Sequence, residues 1–333
     1  MYSDIPVWLS LLFILGGLVA LAWSSDVFVD GAAGVARKLG ISPFIIGMVI
    51  IGFGTCAPEF FVSIFSGASG HANLSLGNAY GSCIFNVAGI LGISALITPL
   101  AAKRSLSWAG APLMIASALF SMWLLRDRTL GGWEGLGLLA FFAVAMPIYC
   151  WFDQKFGKGG ADAAEAPSVP GLSNGRIAFD LLVGLTVMVA ASHFLVWGSV
   201  DLARTFGVDE LLIGLTIVAI GTSVPELATA IAAARKGEAE LVLGNIAGSN
   251  LFNVLVVVGT AGVLSPEPIR GFSPYVITRD LPMLLGISVT VFLFAVNWRK
   301  PKQDGVISRW EGTLWLVSFI VYTVVMVMQE MHG

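Results

Sequence analysis

Two short segments of this 333-residue chain hold the residue types that could do chemistry. One reads GTCAPE from Gly54 to Glu59, followed by GSCIFN from Gly81 to Asn86. The other reads GTSVPE from Gly221 to Glu226, followed by GSNLFN from Gly248 to Asn253. Each sets a carboxylate, Glu59 or Glu226, in the middle of an apolar run, where an acidic side chain costs about 2.5–3.5 kcal/mol if the run spans a bilayer. No Lys or Arg lies in these runs away from their ends, so a mobile cation is the best source of the balancing charge. Two protonated, hydrogen-bonded acids acting as structural glue are the other reading. Thr55 and Glu59 stand i, i+4 and share a helix face, as do Thr222 and Glu226, Ser82 and Asn86, and Ser249 and Asn253. Pro58 and Pro225 lack an N–H and clash with the preceding turn, so the helix should loosen around Gly52–Thr55 and Ala219–Thr222 and free carbonyls there. Hydroxyls, amides, carbonyls and two carboxylates make an oxygen set. Such a set suits Ca²⁺, which takes about 6–8 oxygens, or Na⁺. The cluster has no His, which argues against zinc or copper.

The elements that must position these groups are apolar spans. The chain is 56% hydrophobic and only 12% charged, against about 25% charged in an average soluble domain. With net charge −3 and three Cys, it is neither a nucleic-acid binder nor a disulfide scaffold. Ten windows can be drawn at about 20 apolar residues each. They are Val7–Ala36, Pro43–Gly67, Leu74–Leu100, Leu106–Leu125, Gly132–Phe152, Ile177–Ala203, Leu211–Ala234, Leu241–Leu264, Tyr275–Val296 and Trp310–Met328. The first reads as a retained helix rather than a signal peptide, because no basic residue precedes it and no small-residue cleavage site follows. With both termini outside, 13 of the 18 basic residues fall on the cytoplasmic side and 5 outside, so the positive-inside rule favours extracytoplasmic ends.

Shifted by 167 residues, the chain matches itself without a gap: 19 of 46 positions are identical between Gly47–Gly92 and Gly214–Gly259. The Gly-, Ala- and Pro-rich stretch 153–175 reads as a cytoplasmic linker dividing the spans five and five. Five is odd, so the second copy must enter the membrane in the opposite sense. The expected fold is therefore an all-α integral membrane protein of ten transmembrane helices, built as two inverted-topology five-helix repeats, 1–152 and 176–333. In transporters, such repeats place the substrate near the bilayer midplane, between matching interrupted helices. Gly77, Gly81, Gly244 and Gly248 would let those helices approach closely.

The pair GTCAPE…GSCIFN and GTSVPE…GSNLFN resembles the alpha-repeats of the sodium/calcium exchanger family, within the cation/calcium antiporter superfamily. The resemblance implies that spans 2, 3, 7 and 8 hold the ions and that spans 1 and 6 slide as a gating bundle. By position, it makes Glu59 and Glu226 the central ligands shared by Ca²⁺ and Na⁺, with Thr55 and Thr222 helping to bind Ca²⁺. Ser223, Ser82 and Ser249 contribute oxygens for Na⁺, Gly52 and Ala219 backbone carbonyls, and Asn86 and Asn253 the middle of the site. Three positions depart from the family pattern. Cys56 stands where a serine ligand is usual, which weakens one Na⁺ position and encourages a proton-coupled alternative. Cys83 replaces the Asn found at 250 and reads as a packing residue. Asn rather than Asp at both 86 and 253 argues against K⁺ co-transport. Thr at 55 and 222, where the proton-coupled branch has Asn, favours Na⁺.

The expected function is a secondary antiporter of the inner membrane. It would exchange Na⁺ for Ca²⁺ by alternating access, work as a monomer, and need neither a cofactor nor catalytic residues. Its partners are these cations and the bilayer. A proton-coupled Ca²⁺ exchanger, an intramembrane enzyme using the paired acids or His193, and an uncoupled channel are the other readings. Asp26, Asp30, His193 and Asp201 are expected to line the wet interface of the gating bundle or cap helix ends. Low pH is expected to inhibit, because a protonated glutamate loses its hold on a cation.

Overall fold

The computed structural model describes residues 6–68, 72–156, 173–206, 219–265, 267–301 and 303–332. Most of the expected linker, 157–172, and the first part of the seventh window, 211–218, lie outside the described residues. What is described is overwhelmingly helical. Eight helices are long and apolar enough to cross a membrane, from Val7–Leu39 through Ser75–Ile97 and Ala239–Leu264 to Arg309–Gln329.

Two windows are not continuous helices, and the reason is local. Between Pro43 and Ala68 the chain runs as Pro43–Ile46, a wide-turned stretch Gly47–Gly52, Phe53–Thr55, a break at Cys56, then Ala57–Ala68. In the second half, Ala219–Thr222 and Val224–Arg235 are separated by a break at Ser223. Each break stands two residues before a proline, whose missing N–H removes one rung of the helix ladder. The loosening expected over 52–55 and 219–222 is thus concentrated one residue later. Thr55 donates its hydroxyl to the Ile51 carbonyl four residues back, satisfying an acceptor beside the break.

These broken helices pack against Ala72–Ile84 and Ala239–Leu251, each prolonged by a wide-turned stretch that begins at matching residues, Phe85 and Phe252. The contact between Gly47–Gly52 and Ala239–Leu251 is backbone on backbone. A Cβ on Gly52 would stand 3.0 Å from both the Asn245 carbonyl and the Ser249 nitrogen. Gly244 and Gly248 lie as close to Phe44 and Met48. Around Gly77 and Gly81 there is open space among the described residues, and the segment that the repeat would set against them falls within 211–218.

Outside this core, Val7–Leu39 lies along Asn174–Thr205 in the most extensive helix pairing among the described residues. Among the described residues, four short strands, absent from the all-α expectation, tie helix ends into two antiparallel ribbons. Leu100–Ala102 (β1) pairs with Gly305–Ile307 (β4), and Thr129–Leu130 (β2) with Ile269–Arg270 (β3).

Candidate ion-binding site

The two breaks bring both glutamates to the middle of the core. Glu59 and Glu226 are fully buried, as are Thr55, Ser223, Ser249, Cys56, Asn86 and Asn253, with Ser82 nearly so. Their backbones are held by amides from the adjacent helices. Asn78 donates to the Glu59 carbonyl (3.2 Å) and to Ser63 Oγ (3.0 Å). Asn245 donates to the Glu226 carbonyl (3.4 Å) and to Thr229 Oγ1 (3.1 Å). Asn78 Oδ1 also accepts from Thr222 Oγ1 at 3.3 Å. These asparagines were not among the expected site residues, although their identity across the repeat marked them.

The halves interlock. Ser223, from the second break, places its hydroxyl 2.8 Å from Glu59 Oε1 and 3.0 Å from Ser82 Oγ, while Ser82 is 3.5 Å from the same carboxylate oxygen. Ser249 donates to the Gly52 carbonyl at 3.3 Å, so a cation at that carbonyl would share it with a hydroxyl. Thr55 and Cys56 are polar side chains beside Glu226. Cys56 Sγ lies 3.9 Å from the Ser249 carbonyl. Cys83 and Asn250 are joined reciprocally: the thiol points at the Asn250 carbonyl (3.7 Å) and the Asn250 amide donates to the Cys83 carbonyl (3.3 Å). The Asn86 amide nitrogen meets Asn250 Oδ1 at 3.2 Å. Ala219 opens the short helix Ala219–Thr222, which puts its backbone beside the second break.

What remains unpaired decides the chemistry. Among the described residues, Glu59 Oε2, both oxygens of Glu226, Asn86 Oδ1 and Asn253 Oδ1 are buried without a hydrogen-bond partner, as is the Asn253 amide nitrogen. Buried acceptors are almost always satisfied, and five left bare in one polar cluster form a cage that lacks positive charge. No His, Cys, Asp or Glu trio able to hold a metal occurs among the described residues; the bare acceptors are oxygens, and the Cys56 thiol stands beside Glu226.

The chain's likeness to known proteins agrees with this geometry. Residues 9–151 and 177–328 match the family described as sodium/calcium exchanger protein. The chain belongs to the sodium/calcium exchanger protein family. This exchanger-family chain is 36% identical to the putative antiporter CaxA of Alkalimonas amylolytica, over 93% of itself and 96% of that protein. It is 34% identical to the inner membrane protein YrbG of Escherichia coli K12, over 93% and 94% of the two chains. A solved structure of the sodium-calcium exchanger NCX_Mj, soaked with Na⁺ and Sr²⁺, superposes with a TM-score of 0.79 at 28% identity, covering 95% of this chain and 98% of that one. An exchanger of this family is a multi-pass membrane antiporter, not an enzyme.

The other titratable residues weighed from sequence do not reach the cage. Asp26 and Asp30 pair with Lys236 at the surface, 3.7 and 2.8 Å away. Asp201 accepts from Ser10 at 2.6 Å, linking the two long outer helices. His193 is exposed beside Phe194.

Proposed function

We propose that this chain exchanges Na⁺ for Ca²⁺ across the inner membrane by alternating access, with Glu59 and Glu226 as the shared ligands. The five bare acceptor oxygens carry this reading. Two carboxylates bring a charge of −2, which one Ca²⁺ or two Na⁺ offset, so the two ions compete for one cage. A further Na⁺ would make the exchange electrogenic. An empty, doubly charged cage resists enclosure in an apolar core, and loading by either ion removes that barrier. Thr55 and Thr222 complete Ca²⁺ coordination, and Ser82, Ser223 and Ser249 serve Na⁺. Gly52 and Ala219 offer carbonyls, and Asn86 and Asn253 close the middle. The alternation belongs to the paired helices Val7–Leu39 and Asn174–Thr205, which slide over the broken helices where Gly54 meets Leu185 and Gly221 meets Val196.

The same reading takes ten spans in two inverted halves, 1–152 and 176–333, joined by a cytoplasmic linker 153–175, with both termini outside. The ribbons support the inversion. Had the halves equal sense, the connection holding β1 would lie beside its repeat counterpart, which holds β3. Instead β1 joins β4 and β2 joins β3, so equivalent connections sit at opposite ends. Contacts between loops also keep each side to itself: Lys103 with Glu240 and Arg37 with Glu238 at one end, Arg128 with the Gly271 carbonyl at the other.

The test is ⁴⁵Ca²⁺ uptake into proteoliposomes under imposed Na⁺, K⁺ and H⁺ gradients, one at a time. Uptake driven by outward Na⁺ alone, and lost in Glu59→Gln and Glu226→Gln, is the expected result. Uptake driven only by a proton gradient would replace Na⁺ coupling with H⁺ coupling. Normal uptake in both variants would remove the assignment. Protons compete with cations for a carboxylate, so acidification should lower the apparent Ca²⁺ affinity and alkalinisation restore it.

A further inference from the structure

The two breaks differ in one residue at their non-helical position. Cys56 and Ser223 are repeat counterparts with similar backbone angles, φ −73°, ψ 3° and φ −91°, ψ 12°. The fold therefore presents both side chains to the opposite half in the same manner. Ser223 uses this placement to hydrogen-bond Glu59. Cys56 meets Glu226 with a thiol, and neither Glu226 oxygen has a partner in full hydrogen-bond geometry among the described residues. Both residues are fully buried. One side of the cage thus pairs two bare carboxylate oxygens with a sulfur.

A sulfur beside a bare carboxylate discriminates among cations. Na⁺ and Ca²⁺ are hard and gain little from a thioether-like or thiol donor, whereas soft divalent cations prefer it. The carboxylates still demand positive charge. Cd²⁺ meets both conditions, because it has the charge of Ca²⁺ and a strong affinity for sulfur. We propose that Cys56 is a specificity-determining residue that gives this exchanger a soft-cation face, so that Cd²⁺-like divalents bind between Cys56 and Glu226 in preference to Ca²⁺. Binding displaces the thiol proton to water as the Cd–S bond forms, and no oxidant or reductant is needed. The proposal rests on the reading of Glu226 as a cation ligand and extends it to a substrate or blocker class. Cys83 is joined reciprocally to Asn250, whereas Cys56 stands beside Glu226.

The test compares equilibrium binding of ¹⁰⁹Cd²⁺ and ⁴⁵Ca²⁺ to the purified full chain, with Sr²⁺ as a hard competitor. Ultraviolet absorption follows the sulfur-to-cadmium charge-transfer band. Wild type should prefer Cd²⁺ and show the band. Cys56→Ser should lose the band and reduce the Cd²⁺:Ca²⁺ affinity ratio by roughly tenfold, while Cys83→Ser and Cys150→Ser should keep both. Ser223→Cys should raise the ratio and strengthen the band, and it keeps the proposal falsifiable if Cys56→Ser fails to fold. Retention of band and ratio in Cys56→Ser, or their loss in Cys83→Ser, would overturn the proposal. Binding needs no gradient, so the two readings fail separately. Loss of Na⁺-driven Ca²⁺ uptake in wild type would sink the exchange function, while an unchanged ratio in Cys56→Ser would sink only the soft-cation face.

Discussion

Glu59 and Glu226 occupy matching positions in two copies of one segment, yet their surroundings differ. Ser223 reaches across the halves to Glu59, with Ser82 behind it. Glu226 is met by Cys56 and Thr55, and neither of its oxygens has a partner in full hydrogen-bond geometry among the described residues. Duplication therefore reproduced the backbone, the break and the acid, while one side chain let the two half-sites diverge. The difference teaches that Glu226 depends on the ion more than Glu59 does, since a buried charge without a donor is strongly destabilising until a cation arrives.

The largest effect should come from neutralising each acid in turn. Without cations, Glu226→Gln should be more stable than wild type by about 1–3 kcal/mol, the usual value of relieving an unsatisfied buried group. Glu59→Gln should gain less, because its carboxylate already accepts from Ser223. With Ca²⁺ at about 100 times its Kd, wild type should recover about 2.7 kcal/mol and neither variant should respond. Thermal melting in detergent reads all six states. An equal rise in both variants would break the comparison.

Next come the residues that create the asymmetry. Ser223→Ala removes a hydroxyl 2.8 Å from a carboxylate. Hydrogen bonds to charged groups are worth about 1.5–3 kcal/mol, so the apparent Na⁺ affinity should fall by roughly 10- to 100-fold. Cys56→Ala removes no such bond and should change Na⁺ affinity by less than about threefold. Na⁺ dependence of Ca²⁺ efflux from proteoliposomes distinguishes them. A loss at Cys56 equal to that at Ser223 would show that the thiol serves Na⁺ as well as a hydroxyl does.

Much of this site was legible in the residues themselves. An acid inside an apolar run, three residues from the break that its neighbouring proline causes, announces itself without a structure, and the internal repeat doubles the signal. Distances between the halves were not legible. Nothing in GTSVPE says that Ser223 serves Glu59 rather than Glu226, because that partnership exists only once the copies face each other. The ribbons escaped notice because strands of two or three residues carry no periodicity. Asn78 and Asn245 were visible as repeat identities, but their role as backbone tethers needed the helix pairing. They also mark where the halves remain alike. Asn78→Ala and Asn245→Ala should each lower stability by about 1–3 kcal/mol, since each leaves a buried carbonyl and hydroxyl without their donor. Melting temperatures that differ widely between the two would show that the asymmetry extends beyond the carboxylates.

The smallest effect concerns the helix ends, where the halves differ again. Lys236 joins Asp30 at 2.8 Å and the Asp26 carbonyl at 2.8 Å, and Arg37 joins Glu238 at 3.2 Å. These contacts fasten the end of Val7–Leu39 to the turn after Val224–Arg235. The repeat counterparts of Asp26 and Asp30 are His193 and Trp197, so the other end cannot form the same carboxylate clasp. Lys236→Ala should therefore bias the exchanger toward the state in which this end is open. The ions are partly exposed and screened, which limits the pair to about 0–1 kcal/mol and the shift in apparent Ca²⁺ affinity to less than about fivefold. Uptake compared between inside-out and right-side-out vesicles should show the affinity rising on the side that opens and falling on the other, and high salt should mimic the variant. Equal change on both faces would mean that Lys236 acts on folding alone and that the clasp does not set the balance between the two states.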